Sequence, residues 1–350
     1  VTDLPPPPAA SFASDNAAGV SPEVMDALAA ANHGPALAYG EDPWSDRAVA
    51  ALRDLFDAPV EALACWGGTG ANVVGLASVL RPWDAVLAVD TAHIVVDECG
   101  APTRFTGSPI LAVAHDGGKF RTDAAEAFLD WRGVEHHPQP RVVSVSQVTE
   151  MGTVYTADEL GALGEWCRRH DLLLHVDGAR LANAVVAAGV GVTELIRDTG
   201  VDVLTFGMTK NGAMYGEAVV FLRPELATHA RFVRKQAAQL PSKARFVAAQ
   251  LEALLTDDLW LRNARAANER AVALAERVAA IDGVEVPVAP EANAVFARIP
   301  WERLADLQAW SFFWPWDPAD RLVRWMTAFC TTEADVDAFS AGVAAILAGR

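Results

Sequence analysis

Hydrophobic positions in this chain come in short blocks, and the blocks take turns with segments of helical period. The blocks are ALACW (62–66), AVLAV (85–89), ILAVA (110–114), VVSVSQV (142–148), LLLHV (172–176), VLTF (203–206) and EAVVFL (217–222). Runs of this length, rich in Val, Leu and Ala and bounded by turn residues, read as buried strands. Between them the periodicity predicts helices near 70–80, 122–132, 156–170 and 178–188. Alternation of strand and helix from residue 62 to 222 predicts an α/β fold, with a mostly parallel central sheet and helices on both faces.

Beyond Pro224 the texture changes. Residues 225–281 read as long helices rich in Ala, Leu and Arg, followed by short strands near 284–288, 293–299 and 321–327 and a closing helix near 332–347. That pattern predicts a smaller C-terminal α+β domain. A chain of 350 residues has room for two domains at roughly 100–200 residues each. The expected division is an N-terminal extension (1–15), a large domain (16–240) and a small domain (241–350).

Composition narrows the function classes. An apolar fraction of 52% excludes a disordered chain. Acidic residues outnumber basic ones 45 to 28, for a formal charge of −17, which argues against nucleic-acid binding by phosphate neutralisation. The uncharged stretch Ala62–Leu80 contains Gly67, Gly68, Gly70 and Gly75 with Thr69, Asn72 and Ser78, so no membrane helix is expected there. The segment VTDLPPPPAASF has neither a basic nor an apolar block, so it does not read as a secretory leader. Cys65, Cys99, Cys167 and Cys330 are widely spaced and form no CxxC pair, which speaks against a disulfide framework or a zinc site and for a reducing cytoplasm.

In an open parallel sheet, ligands bind at the carboxyl ends of the strands, and four strand-end loops here are unusual. Trp66-Gly67-Gly68-Thr69-Gly70-Ala71-Asn72 is a glycine-rich turn into a helix, whose backbone N–H groups can accept a phosphate. It also matches part of a dinucleotide fingerprint, with Asp90 as the acid further on, but Val73 stands where that fingerprint needs Gly or Ala. A plain turn is the third reading. Thr91-Ala92-His93 offers either an ordinary surface or core histidine or a ring that stacks on a planar ligand. His175-Val176-Asp177-Gly178-Ala179-Arg180 puts an acid and a guanidinium at a helix start, as a site or as a simple cap. In Thr205-Phe206-Gly207-Met208-Thr209-Lys210-Asn211-Gly212 the lysine follows an apolar strand with Glu217 as the one nearby acid, a setting that favours the neutral, nucleophilic amine.

One cofactor uses all four loops together. A neutral lysine can bind an aldehyde, an acid can keep a pyridine nitrogen protonated, a glycine-rich helix start can hold a phosphate, and an aromatic ring can cover a flat face. These are the requirements of pyridoxal 5′-phosphate.

GGTGAN, TAH, HVDGARLANA and TKNG, in this order, resemble the low-specificity L-threonine aldolases. These are pyridoxal-phosphate enzymes of fold type I, the aspartate aminotransferase architecture, within the β-eliminating lyase superfamily. The resemblance extends to SDNAAGVSPEVMDAL and AYGEDPW near the N-terminus and to VRWMTAFCTTEADVDAF near the C-terminus. It implies that Lys210 binds the cofactor aldehyde, Asp177 pairs with the ring nitrogen, and His93 stacks on the ring. Gly68, Thr69 and Gly70 would hold the phosphate, and Arg180 would lie against cofactor and substrate. Arg180 and Arg324 would grip the substrate carboxylate, with Ser14 near it and Arg321 as a rival to Arg324. The implied reaction is cleavage of a β-hydroxy-α-amino acid, of the L-threonine, L-allo-threonine or L-phenylserine type, to glycine and an aldehyde. A homodimer or homotetramer with shared sites is also implied, in which Arg234, Lys235 and Lys243 could reach a neighbour.

Two positions depart from the family's pattern. Gln147-Val148-Thr149-Glu150-Met151 replaces a histidine-bearing segment, and Asp97 stands where an aromatic residue is common. Both put acids where the substrate side chain is expected, so Glu150, His93 or a water between them are candidates for the base at the β-hydroxyl. A β-eliminating lyase or aminotransferase would use the same cofactor residues. An NAD-dependent enzyme would centre on the Gly68 loop and leave Lys210 without a role.

Overall fold

A computed structural model describes residues 4–349, and these fall into two compact units. The larger holds Val20–Thr209 and Ala213–Leu259. Its strands are β1 (Glu61–Cys65), β2 (Asp84–Val89), β3 (Ile110–Val113), β4 (His115–Asp116), β5 (Lys119–Phe120), β6 (Gln139–Ser146), β7 (Leu173–Gly178), β8 (Val203–Phe206) and β9 (Glu217–Phe221). Seven of them form one sheet in the order β1-β9-β8-β7-β6-β2-β3. The pairs among β2, β3, β6, β7 and β8 are parallel, while β9 runs antiparallel to both β8 and β1. Every residue of β2, β7, β8 and β9 is buried, which is why these strands read as continuous apolar blocks. The mostly parallel sheet is therefore present, with one reversed strand. Strands β4 and β5 form a hairpin that no apolar block announced; Gly117 and Gly118, both at positive φ, make its turn.

The helices follow from local chemistry. Thr156 accepts from the Glu159 N–H and Glu159 answers on the Thr156 N–H, a reciprocal cap that starts the helix Ala157–Arg169 where the sequence placed it. The helix Gly68–Val79 starts slightly earlier than predicted, because extended Gly67 precedes it. The helix Arg245–Leu255 packs against Pro22–Ala31 and Pro43–Phe56 in this same unit, so the division between units falls at Leu259 and Trp260 and not after residue 240.

The smaller unit takes the chain up to Gly19, Lys210–Gly212 and the chain from Trp260 on. Its sheet is antiparallel, with β10 (Ala294–Arg298), β11 (Trp314–Asp317) and β12 (Leu322–Met326) in the order β10-β12-β11. The strand expected near 284–288 is reduced to a bridge between Glu285 and Arg298. Strand β11 escaped the sequence reading because Trp-Pro-Trp-Asp lacks the alternation of a half-buried strand; Pro315 is tolerated because β11 is an edge. The N-terminal segment is no loose extension. The Met326 N–H donates to Phe12 O at 2.8 Å, Ala10 N–H to Asp335 Oδ1 at 3.0 Å, and Asn293 Nδ2 to Asp15 Oδ2 at 3.0 Å.

Phe12 is fully buried, its ring centroid 4.3 Å from that of Phe339. Phe12→Ala should destabilise the protein by about 3–5 kcal/mol. A lowered urea midpoint at unchanged transition slope is the expected result, and an unmoved midpoint would show that the segment adds nothing to this core.

Candidate active site

Strands β2, β6, β7 and β8 point the same way, so their carboxyl ends share one edge of the sheet. The register aligns Ser146 with Asp177 and Asp177 with Thr205 along that edge. Asp177 is 7% exposed. Its Oδ1 accepts the Ala179 N–H at 3.0 Å and its Oδ2 accepts Asn72 Nδ2 at 2.7 Å. Gly178 follows because an added Cβ there would lie 2.5 Å from Thr205 O. The glycine of the HVDG motif is thus demanded by the close approach of β8.

Asn72 projects from the helix Gly68–Val79 and connects the site. The same Nδ2 donates to Glu98 Oε1 at 2.8 Å, and its Oδ1 accepts the Thr205 hydroxyl at 2.8 Å. His93 opens the short helix His93–Val96, with its ring Nδ1 2.9 Å from Glu98 Oε1. The His93 N–H donates to Glu150 Oε1 at 2.9 Å, where the Ser146 hydroxyl also donates. Burial pushes the Glu150 carboxyl above its ordinary range, against the pull of those two hydrogen bonds. Glu150 and His93 are therefore brought together. Asp97 is not part of this group: it is exposed at the end of the short helix, and its N–H donates to His93 O. The acid delivered to the imidazole is Glu98.

At the glycine loop, Gly67 is extended and makes no side-chain cap, and a Cβ at Gly67 or Gly68 would meet open space. The N–H groups of Gly68, Thr69 and Gly70 lie in the first helical turn, where no carbonyl of the helix serves them. Gly70 has a second reason to lack a side chain: Gln239 Oε1 lies 2.1 Å from where its Cβ would be, and the same oxygen accepts the Trp66 N–H at 3.1 Å. Val73 is buried, against the dinucleotide fingerprint. Arg180 is half-buried at the start of the helix Leu181–Ala188.

Ser14, Lys210 and Arg324 belong to the smaller unit. Lys210 is half-buried in the turn Thr209–Asn211, held by Asn211 Nδ2 on Trp260 O at 2.8 Å and Asn263 Nδ2 on Asn211 O at 2.9 Å. Arg324 lies in β12 with its guanidinium 4.6 Å from the Trp316 ring centre. Its rival Arg321 is exposed, at φ +54° in the turn before the strand, so the two do not share one. Ser14 caps the turn Asp15–Ala17 by accepting the Asn16 N–H. Lys235 and Lys243 are exposed, but Arg234 is buried and donates to Ala64 O at 3.2 Å within its own chain. Among the described residues no group of three or more His, Cys, Asp and Glu could hold a metal ion.

A model of the beta-eliminating lyases matches residues 11–300. The chain belongs to the beta-eliminating lyase family. Its similarity to a low specificity L-threonine aldolase of a Pseudomonas species is 40% identity over 339 residues, 96% of this chain and 97% of that one. The enzyme of the same name from Pseudomonas aeruginosa is 43% identical over 305 residues, 86% of this chain and 88% of that one. Among solved structures, threonine aldolase from Leishmania major superposes with a TM-score of 0.87 at 29% identity, covering 94% of this chain and 97% of that one. These similarities span both halves of the chain, so family membership rests on the whole fold and not on the glycine loop alone.

His175, two residues ahead of Asp177 on β7, bonds Ser144 Oγ at 2.8 Å through Nδ1. Burial lowers its pKa to about 4, with the Asp177 charge opposing. A base depressed in the folded state stays neutral there while the unfolded chain takes up the proton. Its stabilising contribution is thus complete above the unfolded value of about 6.5 and is lost as pH falls toward about 4. His175→Gln should flatten this loss, which is on the order of 3 kcal/mol. Urea unfolding at several pH values across that window tests it, and parallel pH profiles for parent and variant would refute it.

Proposed function

We propose that the chain cleaves β-hydroxy-α-amino acids to glycine and an aldehyde by a retro-aldol reaction, with pyridoxal 5′-phosphate as cofactor. The observation that carries this reading is Asp177, a buried acid fixed from two sides at the carboxyl end of a central strand, in a chain of this family. Two features support the fit of the cofactor: the open first turn at Gly67 and Gly68, and a carboxylate held firmly enough to face a ring nitrogen. Gly68, Thr69 and Gly70 would hold the phosphate, His93 would cover the ring and Lys210 would bind the aldehyde. When bound, the cofactor supplies an electron sink that makes the bonds at the α-carbon of an amino acid labile.

The protein's own groups decide which bond that is. Arg180 and Arg324, with Ser14 nearby, would fix the substrate carboxylate through forked hydrogen bonds and so orient the Cα–Cβ bond for cleavage. Asp177 would keep the ring nitrogen protonated. The β-hydroxyl proton would pass to His93 or Glu150, which share a hydrogen bond through the His93 N–H. The reading includes a cytoplasmic homodimer or homotetramer. It is supported by four free thiols and by Leu37 and Tyr39, exposed close together in sequence. Among the described residues no helix is long and apolar enough to cross a membrane.

Product analysis with L-threonine and L-phenylserine should give glycine and the aldehyde; ammonia and a keto acid would assign elimination instead. Lys210→Ala should leave no cofactor covalently attached after borohydride reduction, as read by mass spectrometry. Asp177→Ala should lower kcat by about 100-fold or more while cofactor content changes far less, and turnover near the parent's would remove Asp177 from this role.

A further inference from the structure

Glu98 is 4% exposed, and its carboxylate has an unusual set of neighbours. Oε1 takes two hydrogen bonds, from Asn72 Nδ2 at 2.8 Å and from the His93 ring at 2.9 Å, while Oε2 is buried and meets no donor among the described residues. The other acids in the group are Asp177, on the same Asn72 nitrogen, and Glu150, on the His93 N–H; Asp97 next in sequence is exposed. Among the described residues the only basic side chain within ion-pair distance of Glu98 is the His93 imidazole. A buried carboxylate is costly unless something compensates it. Here the compensation is the imidazole and one amide hydrogen.

The orientation of Asn72 follows from the same network. Its nitrogen faces two carboxylate oxygens and its oxygen receives the Thr205 hydroxyl, so each of its two amide hydrogens serves one acid. A carboxylate oxygen that already takes the Asn72 hydrogen acts as an acceptor, so a proton on the line between imidazole and carboxylate would belong to Nδ1 and the lone pair to Nε2.

We infer that Glu98 is a positioning residue for His93: it fixes the ring and its tautomer and makes Nε2 the more basic nitrogen for proton transfer at the substrate hydroxyl. This rests on the retro-aldol reading, in which His93 meets the reacting atoms. The Glu98 carboxylate acts through the ring it holds. The arrangement follows the logic of a buried acid orienting a catalytic histidine.

The test is a double-mutant cycle on the cofactor-loaded enzyme with L-phenylserine. Glu98→Gln keeps the size of the side chain and an oxygen that accepts both hydrogen bonds, but removes the charge. It should lower kcat at least about 10-fold while KM stays within about 3-fold and cofactor absorbance is unchanged. In a His93→Gln background the same change should add nothing further, because Glu98 acts through His93. Parent-like kcat in Glu98→Gln, or losses that multiply in the double variant, would overturn the inference while leaving the retro-aldol reading intact. His93→Gln with parent turnover would remove the role given to His93 as well. Nitrogen-15 histidine spectra of the unmutated enzyme give a second reading that needs no variant. A His93 ring protonated at Nδ1 with Nε2 unprotonated is expected, and the opposite tautomer would overturn the assignment.

Discussion

A single side-chain amide holds this site together. Asn72 stands between two buried carboxylates and gives one hydrogen to each, while its oxygen is tied to Thr205. Without such a donor, Asp177 and Glu98 would be two buried acids close together in a medium that screens charge poorly. With it, both acids have fixed directions. The placement of Asp177 and of the His93 ring both depend on that amide.

The sheet makes the amide's position possible. Parallel strands present their carboxyl ends on one edge, and the register places Ser146, Asp177 and Thr205 in a row there. Thr205 reaches Asn72 because β8 lies beside β7, and β8 can lie so close because Gly178 has no side chain to displace it. The helix Gly68–Val79 brings Asn72 down on that row and opens with glycines, so one helix supplies both the link between the acids and the first turn suited to a phosphate. The same packing explains His175, two positions behind that row, whose burial lowers its pKa.

Which parts could be read in advance depended on the range of the forces involved. Asp177 lies next to last in an apolar strand and Lys210 in the loop beyond another, and a strand end in a parallel sheet is a place local pattern can find. Glu98 could not be found that way. It lies one residue past Asp97 in a short turn, and nothing in the local pattern says which of two adjacent acids faces inward; the turn after the helix His93–Val96 makes that choice. Asn72 was visible within the GGTGAN motif, but an asparagine on a helix has no meaning until the strands that face it are known. The loop pattern led to the expectation of Gly70 as a phosphate-holding glycine, yet its tightest neighbour is Gln239, far away in sequence.

Taken alone, the sequence determined the alternation of strand and helix, the parallel sheet and the loops in which to look, because apolar periodicity and turn chemistry act over a few residues. Tertiary structure decided the reversal of β9, the docking of Phe12 and its neighbours beside β12, and the choice of Glu98 over Asp97 as partner of His93. Each of these rests on hydrogen bonds or packing between residues distant along the chain or on the direction of one turn, and no local pattern encodes which of those contacts closes.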